Sequence, residues 1–409
     1  MAMIPTYKWR PDVASERGAV IVHVAIALLG LMAMSTFVID YGVMWAARRQ
    51  AQNAADAGAL AGAISMAFVD FNNLAMARQS ALDVARLNGV FGEVPDITAA
   101  DVTFPECPPG SPGAGTDSCI RVDVFRNQRA GGNPLPTFFA KLVGIDQQGV
   151  RATATAEALF GNSTDCVKPF AIPDKWQELR NNQGPLGWDE SDSFERYDQP
   201  SGAVLDPADV YVPGPNGTGY SPDSVTLGGG DYGREITLKA GRPNEAIAPG
   251  WFFPIRLGES TGGDDYRYNI ANCNTTVIGP GSIVQNEPGN MIGPTKQGMN
   301  DLINLDPEAD WDPSLNGGRG GISGGCMGSG DCRRSPRLVA IPVFDPDNYD
   351  AGRASGLNEL VITKVLGFFI DRIRGNEVVG YITTYPANPN AGMGGVPGED
   401  FIVSVTLVR

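Results

Sequence analysis

Six cysteines, one histidine and a few spaced carboxylates are the residues of this 409-residue chain whose types could do chemistry. A Ser-His-Asp triad, a Cys-His pair or a multi-histidine zinc site needs imidazole. The only histidine is His23, inside the run AVIVHVAIALLGLMAMSTFVI from Ala19 to Ile39, which contains no Asp, Glu, Lys or Arg. Histidine-dependent catalysis and histidine-ligated metals are therefore excluded from the sequence beyond it. Asp189-x-Ser191-x-Ser193 has the spacing of a metal-adhesion loop. Such a loop follows a buried parallel strand, whereas this one follows NNQGPLGW. Gly228-x-Gly230-x-x-Gly233 formally matches a dinucleotide loop but lacks the strand before and the helix after, so it reads as a tight turn. Asp345, Asp347 and Asp350 gather oxygens for a calcium ion without the Gly and distal Glu of an EF-hand loop. They read as a solvated Asp/Asn turn, with calcium as the alternative. Asn162, Asn216 and Asn274 stand in Asn-x-Ser/Thr sequons. No motif singles out a catalytic carboxylate pair, and no cofactor is expected.

The cysteines point to an oxidising compartment. All six follow the apolar run, in loop-rich sequence of the exported type, where disulfides persist. Cys107 and Cys119 close the loop CPPGSPGAGTDSC, and stapling about 13 residues contributes roughly 3 kcal/mol in the chain-entropy picture. Cys166, Cys273, Cys326 and Cys332 allow three pairings, and the sequence does not choose among them. For Cys326 and Cys332, the spacing and exported context favour disulfides over zinc.

The element that must place these residues outside a cell is the apolar run itself. At 1.5 Å per residue it spans roughly 31 Å, the thickness of a bilayer's hydrocarbon core. A cleaved signal peptide is the rival reading, with small residues at Ala57-Gly58-Ala59. The run, however, exceeds the usual apolar length of a signal, and Asp40, Arg48 and Arg49 intervene. An uncleaved anchor is the expectation. Lys8, Arg10 and Arg17 precede the span and Arg48 and Arg49 follow it, a thin positive-inside margin that the cysteines reinforce. The N-terminus is expected in the cytoplasm.

Nothing breaks the helix after Ile39: the next residues are alanine-rich and free of proline. Ala47, Ala51, Ala54, Gly58, Ala61 and Ser65 recur at alternating spacings of four and three, beside Gly58-x-x-x-Gly62. Coiled coils put Leu or Ile in such a seam; small residues let two backbones approach closely. The partner is either intramolecular or another copy in an assembly. Asn72 or Asn73 can cap a second helix, LAMARQSALDVARLN, that stops at Gly89, so a helical hairpin is predicted.

Together, Arg17-Gly18, Val38-Ile39-Asp40-Tyr41-Gly42, Ala46-Ala47-Arg48-Arg49, Gln52-Asn53-Ala54-Ala55-Asp56-Ala57 and Leu60-Ala61-Gly62-Ala63 resemble the N-terminal module of TadE/TadG-like Flp (tight-adherence) pilus-assembly proteins. The resemblance covers about 45 residues. It implies an inner-membrane anchor with a periplasmic or surface-exposed remainder, acting in building or anchoring a fibre. Implied partners are the lipid bilayer and other pilus-assembly or pilin subunits; the seam adds a possible homo-oligomer. Pilin-like members can carry a Glu five residues after their cleavage glycine. If Gly18 is that glycine, the position is His23, so an anchored assembly factor fits better than a pilin.

Beyond the hairpin, Asp101–Phe104 and Ile120–Val124 alternate as strands, Pro136–Leu142 suggests a short helix, and Gly149–Ala156 a strand. After Cys166, short apolar strands at 337–341, 360–362, 378–382 and 401–405 alternate with Gly/Pro/Asn/Asp connections. Helices are expected from Asp174-Lys175-Trp176-Gln177, a capping-box pattern, and from Thr295 through Ile303. The fold class is α+β: a cytoplasmic tail (1–17), a transmembrane helix (18–42), a helical hairpin with a small α/β domain (43–160), and a disulfide-bonded β-rich domain (161–409). With 31 Lys+Arg against 46 Asp+Glu, the net charge of -15 offers no cationic surplus for nucleic acid. A non-enzymatic structural component is the leading expectation. The alternative is a membrane-anchored extracytoplasmic enzyme or ligand-binding protein, including a calcium-dependent adhesin, with its site in the loops after Cys166.

Overall fold

The unbroken apolar and alanine-rich sequence folds as one continuous helical column in a computed structural model. That structure describes residues 13–129, 132–180, 189, 191–223, 230–242, 245–259, 261–289, 291–353, 359–387 and 394–408. Lys8 and Arg10 lie outside the described residues. Helix α1 (Val13–Ser35) passes through one π turn (Thr36–Asp40) into α2 (Tyr41–Phe68). The stretch Val20–Phe68 is long and apolar enough to cross a membrane. Val20, Ile21, Leu29, Leu31 and Met34 are each more than half exposed. His23 is exposed on the same helix.

The chain divides into two compact units. The first is Met1–Ala59, Ala81–Thr103 and Arg121–Ala154; the second is Leu60–Ser80, Phe104–Ile120 and Thr155–Arg409. Helix α2, helix α3 (Leu74–Leu87) and the strands over Cys119–Arg126 and Val150–Gly161 are each divided between them. Asn73 caps α3, its side-chain oxygen accepting the Met76 amide at 3.1 Å.

In the first unit, β1 (Val102–Thr103) pairs antiparallel with β2 (Cys119–Arg126) through Val102↔Val122. The two-stranded ribbon of β3 (Leu135–Pro136) and β4 (Gln147–Gln148) leads into β5 (Val150–Gly161), which lies beside β2. Alanines fill the core: Ala47, Ala51, Ala54, Ala55, Ala59, Ala81 and Ala85 are fully buried with Val122 and Val124. The helix expected over 136–142 is only a 3₁₀ turn, Ala140–Val143, ended by Gly144 at φ 85°.

In the second unit, β6 (Phe170–Pro173), β7 (Glu235–Ala240), β8 (Trp251–Pro254), β12 (Leu338–Phe344), β13 (Glu359–Arg374) and β14 (Glu377–Thr383) form a closed barrel. Their order is β12-β6-β8-β7-β14-β13, closed by β13 pairing back onto β12. Strand β9 (Ile283–Gln285) joins β13, and β10 (Ala309–Asp312) pairs with β11 (Gly321–Gly324). Strand β15 (Tyr385–Pro386) runs parallel to β16 (Ile402–Val408), which pairs antiparallel with β5 from Thr155 to Gly161. Both faces of the barrel strands are covered. Val339, Ile341 and Val343 join a cluster with Tyr266 and Ile270 of α4 (Gly263–Ala271) and Met299 and Leu302 of α5 (Ile292–Ile303); Ala340 and Phe344 join another with Trp176 and Phe194. That is why these strands read as continuous apolar runs.

Two expectations are corrected here. Asp174–Gln177 is extended: the Asp174 carboxylate accepts the Tyr220 amide at 2.8 Å and the Tyr211 hydroxyl at 2.9 Å, and Gln177 bridges Val210. Long-range partners have taken the carboxylate that a helix start would need. Asp345–Asp350 is not a solvated turn either, because Pro346–Arg353 is a helix.

Candidate functional site

In the first unit a buried carboxylate stands where the apolar helix ends. Asp40 is the first charge after the run and is only 5% exposed. Its Oδ1 accepts the Phe138 amide at 2.7 Å, and its Oδ2 accepts those of Phe139 at 3.0 Å and Ala140 at 2.6 Å. These are amides at the start of the 3₁₀ turn, which lack partners within it; a carboxylate from 98 residues away caps them. Gln148 Nε2 donates to the Asp40 carbonyl at 3.2 Å. Within the loop, the Thr137 hydroxyl donates to the Ile145 carbonyl at 2.6 Å and the Ile145 amide to that of Ala140 at 3.1 Å. Farther along the helix, Gln50 Oε1 accepts the Phe91 amide at 2.6 Å, and Gln52 Nε2 donates to Asp56 at 2.8 Å and to the Thr153 carbonyl at 3.1 Å. The helical column is thus riveted to its unit at residues 40, 50 and 52.

Alongside the rivets and beyond them runs the small-residue seam. Ala47, Ala51, Ala54, Gly58 and Ser65 are buried, and Ala61 is half-buried. A Cβ at Gly58 would lie 2.9 Å from the Ala81 carbonyl oxygen and 3.0 Å from the Ala85 Cβ. In the first unit the seam therefore packs on its own chain. Of the other motif residues, Gly62 is buried, Leu60 and Asp56 are half-buried, Asn53 is exposed, and Gly42 faces open space. The sequence reading missed Phe138, Phe139, Ala140 and Gln148. Their signal is only that a turn's first amides need an acceptor and that Asp40 is the first charge available.

The second unit holds the remaining candidates. Asp345 caps its helix through the Asp347 and Asn348 amides, Asp347 pairs with Arg196 at 3.0 Å, and Asp350 accepts the Arg196 and Tyr197 amides. Their bonds run to separate partners, and among the described residues the three carboxylates do not converge at metal-ligand spacing. Asp189 accepts the Ser191 amide and hydroxyl in a local turn. Gly228 lies outside the described residues; Gly233 has φ 80°, as a tight turn requires. The cysteines pair as Cys107–Cys119, Cys166–Cys273 and Cys326–Cys332. Cys107, Cys119 and Glu157 lie close together, but both sulfurs are in the disulfide. Burial pushes the Glu157 carboxyl up against the pull of the Gly113 amide. A cleft of about 1040 Å³ is lined by Phe252, Met291, Arg242, Arg256, Asn286 and Glu287, among others.

Residues 18–67 match the family model described as "Putative Flp pilus-assembly TadE/G-like". That segment is a TadE/G-like module: it begins in the exposed apolar helix and includes Asp40, Gln52 and the seam. No curated protein and no solved structure matches the chain.

Proposed function

We propose that the chain is an uncleaved, single-pass membrane component of a Flp pilus system that anchors or assembles the fibre and performs no catalysis. The observation that carries this reading is the TadE/G-like segment built on a helix whose apolar side chains are exposed along its length. Surfaces of that kind are stable in hydrocarbon and costly in water. The N-terminus faces the cytoplasm, and the disulfide-bonded body lies in the periplasm or at the surface, beyond the inner membrane. Histidine chemistry is excluded there by sequence. A permanently anchored role fits better than a filament subunit, since with Gly18 taken as the cleavage glycine His23 stands five residues on, where pilin-like members can carry a Glu. The buried seam serves the chain's own packing, and a homo-oligomer through it would have to displace α3.

Deleting the gene in its host and imaging surface fibres tests the proposal. Loss of Flp fibres, restored by the intact gene, is expected; unchanged fibre number and length would overturn it. A second reading, a ligand-binding body, draws on the cleft beside Phe252 and Arg256. It expects fibres intact in the deletion strain and a small molecule retained by the purified chain.

A further inference from the structure

We infer that the loop Thr137–Asp146 is a second membrane contact, seating Phe138 and Ile145 in the headgroup–acyl boundary beside the exit of the helix. This deepens the anchor reading and rests on it. Asp40 follows directly on the last residue of the apolar run, so it marks the end of the hydrocarbon layer to within a turn. Its carboxylate holds the amides of Phe138, Phe139 and Ala140 at 2.6–3.0 Å, which places the backbone of this loop at the same depth. The loop is closed on itself by the Thr137 and Ile145 bonds already described. Even so, it presents Phe138 and Ile145 outward at 55% and 53% exposure. Two large apolar side chains held on one fixed loop, each left more than half exposed by the described residues, are available to an apolar layer.

The depth argues for lipid as the occupant. Tyr41 and Trp45, 52% and 53% exposed, follow the span within two turns. Arg49 stacks on Trp45 with its guanidinium 4.7 Å from the ring centroid, and Lys141 and Arg48 are exposed. Aromatic rings with cations around them, at the end of an apolar helix, are the composition of a membrane–water interface. The contact continues the membrane surface that α1 already requires.

Helix α2 supplies the ruler for a test. Phe91 is held by Gln50, which sits ten residues beyond Asp40 on a continuous helix, about 15 Å farther out and past a headgroup layer of about 5–8 Å. The full-length chain would carry the photoreactive residue p-benzoylphenylalanine at position 138, 145 or 91. It would be reconstituted in phosphatidylcholine/phosphatidylglycerol vesicles, floated on a density gradient, irradiated and analysed by mass spectrometry. Lipid adducts at 138 and 145 that are lost at 91 are expected. Floated chain with no lipid adduct at 138 and 145, or with adducts to a second protein chain there, overturns the inference and leaves the anchor standing. Chain that fails to float overturns the anchor reading, and the inference falls with it.

Discussion

Gly58 shows how much a single side chain can decide. Its missing Cβ lets α2 approach the Ala81 carbonyl and Ala85, and overpacking at such a contact costs about 1–3 kcal/mol. Gly58→Val is expected to lower the thermal midpoint of the detergent-solubilised chain, whereas Asn53→Ala, at an exposed site, leaves it unchanged. Equal midpoints for the two variants would show that the seam is not tightly packed. Lys168 offers a test of opposite sign. It is 4% exposed, and burial, aided by the Arg334 charge, pushes its pKa down from 10.5 to about 8. Between pH 8 and 10.5 the unfolded chain holds a proton here that the native chain has lost, so stability rises with pH across that window. Below about pH 8 the native chain carries the buried charge at full cost, of order 3 kcal/mol. Lys168→Met is therefore expected to raise the urea midpoint at neutral pH, by an amount that shrinks toward pH 10; a pH-independent difference would mean that the site is not strained by its charge.

At the scale of elements, the loop held by Asp40 makes the sharpest prediction. Hydrogen bonds to a charged acceptor contribute about 1.5–3 kcal/mol each. Asp40→Asn keeps one acceptor oxygen and turns an amide group toward the remaining donors. A loss of about 2 kcal/mol would speed amide exchange at Phe138, Phe139 and Ala140 by roughly 30-fold, with the β-barrel unaffected; unchanged exchange would show that the loop is held by its own bonds. How far such elements were legible follows from the range of the forces that form them. The helical hairpin, the Cys107–Cys119 staple and α5 could be read directly because their determinants are local: an apolar run, an asparagine cap, two cysteines closing one loop. The strands at 338–344 and 359–374 were placed, though shortened, because burial on both faces erases alternation. Asp174 misled because its capping-box spacing is a local signal outcompeted by Tyr211, Tyr220 and Thr363. The Asp40 junction was half-legible. The residue stood out in the motif, but its partners lie 98 to 100 residues away, and no spacing rule reaches that far.

For the whole molecule, the question raised by the proposed anchor is what would hold a strongly acidic chain at a membrane. The net charge of -15 gives no general attraction to an anionic leaflet, whose pull acts on clustered Lys and Arg within a Debye length. The cations near the exit, Arg48, Arg49 and Lys141, are too few to hold it alone when each contributes about 1 kcal/mol at the surface. The apolar span is different in kind: a run of roughly 20 apolar residues inserts in a way that no lipid anchor or surface patch matches. Anchoring should then be insensitive to salt and wholly dependent on α1. The full-length chain is expected to stay in the membrane fraction through washes with 1 M salt, where the Debye length falls to about 3 Å, and through alkaline carbonate, and to be released by detergent. A chain lacking residues 13–39 is expected in the soluble fraction, with its Cys107–Cys119 hairpin still oxidised if the body is exported by a substitute signal. Release of the full chain by salt would show that charge, not the span, holds it. Retention of the shortened chain would show that the body carries an anchor of its own, stronger than the loop at Phe138 and Ile145 provides.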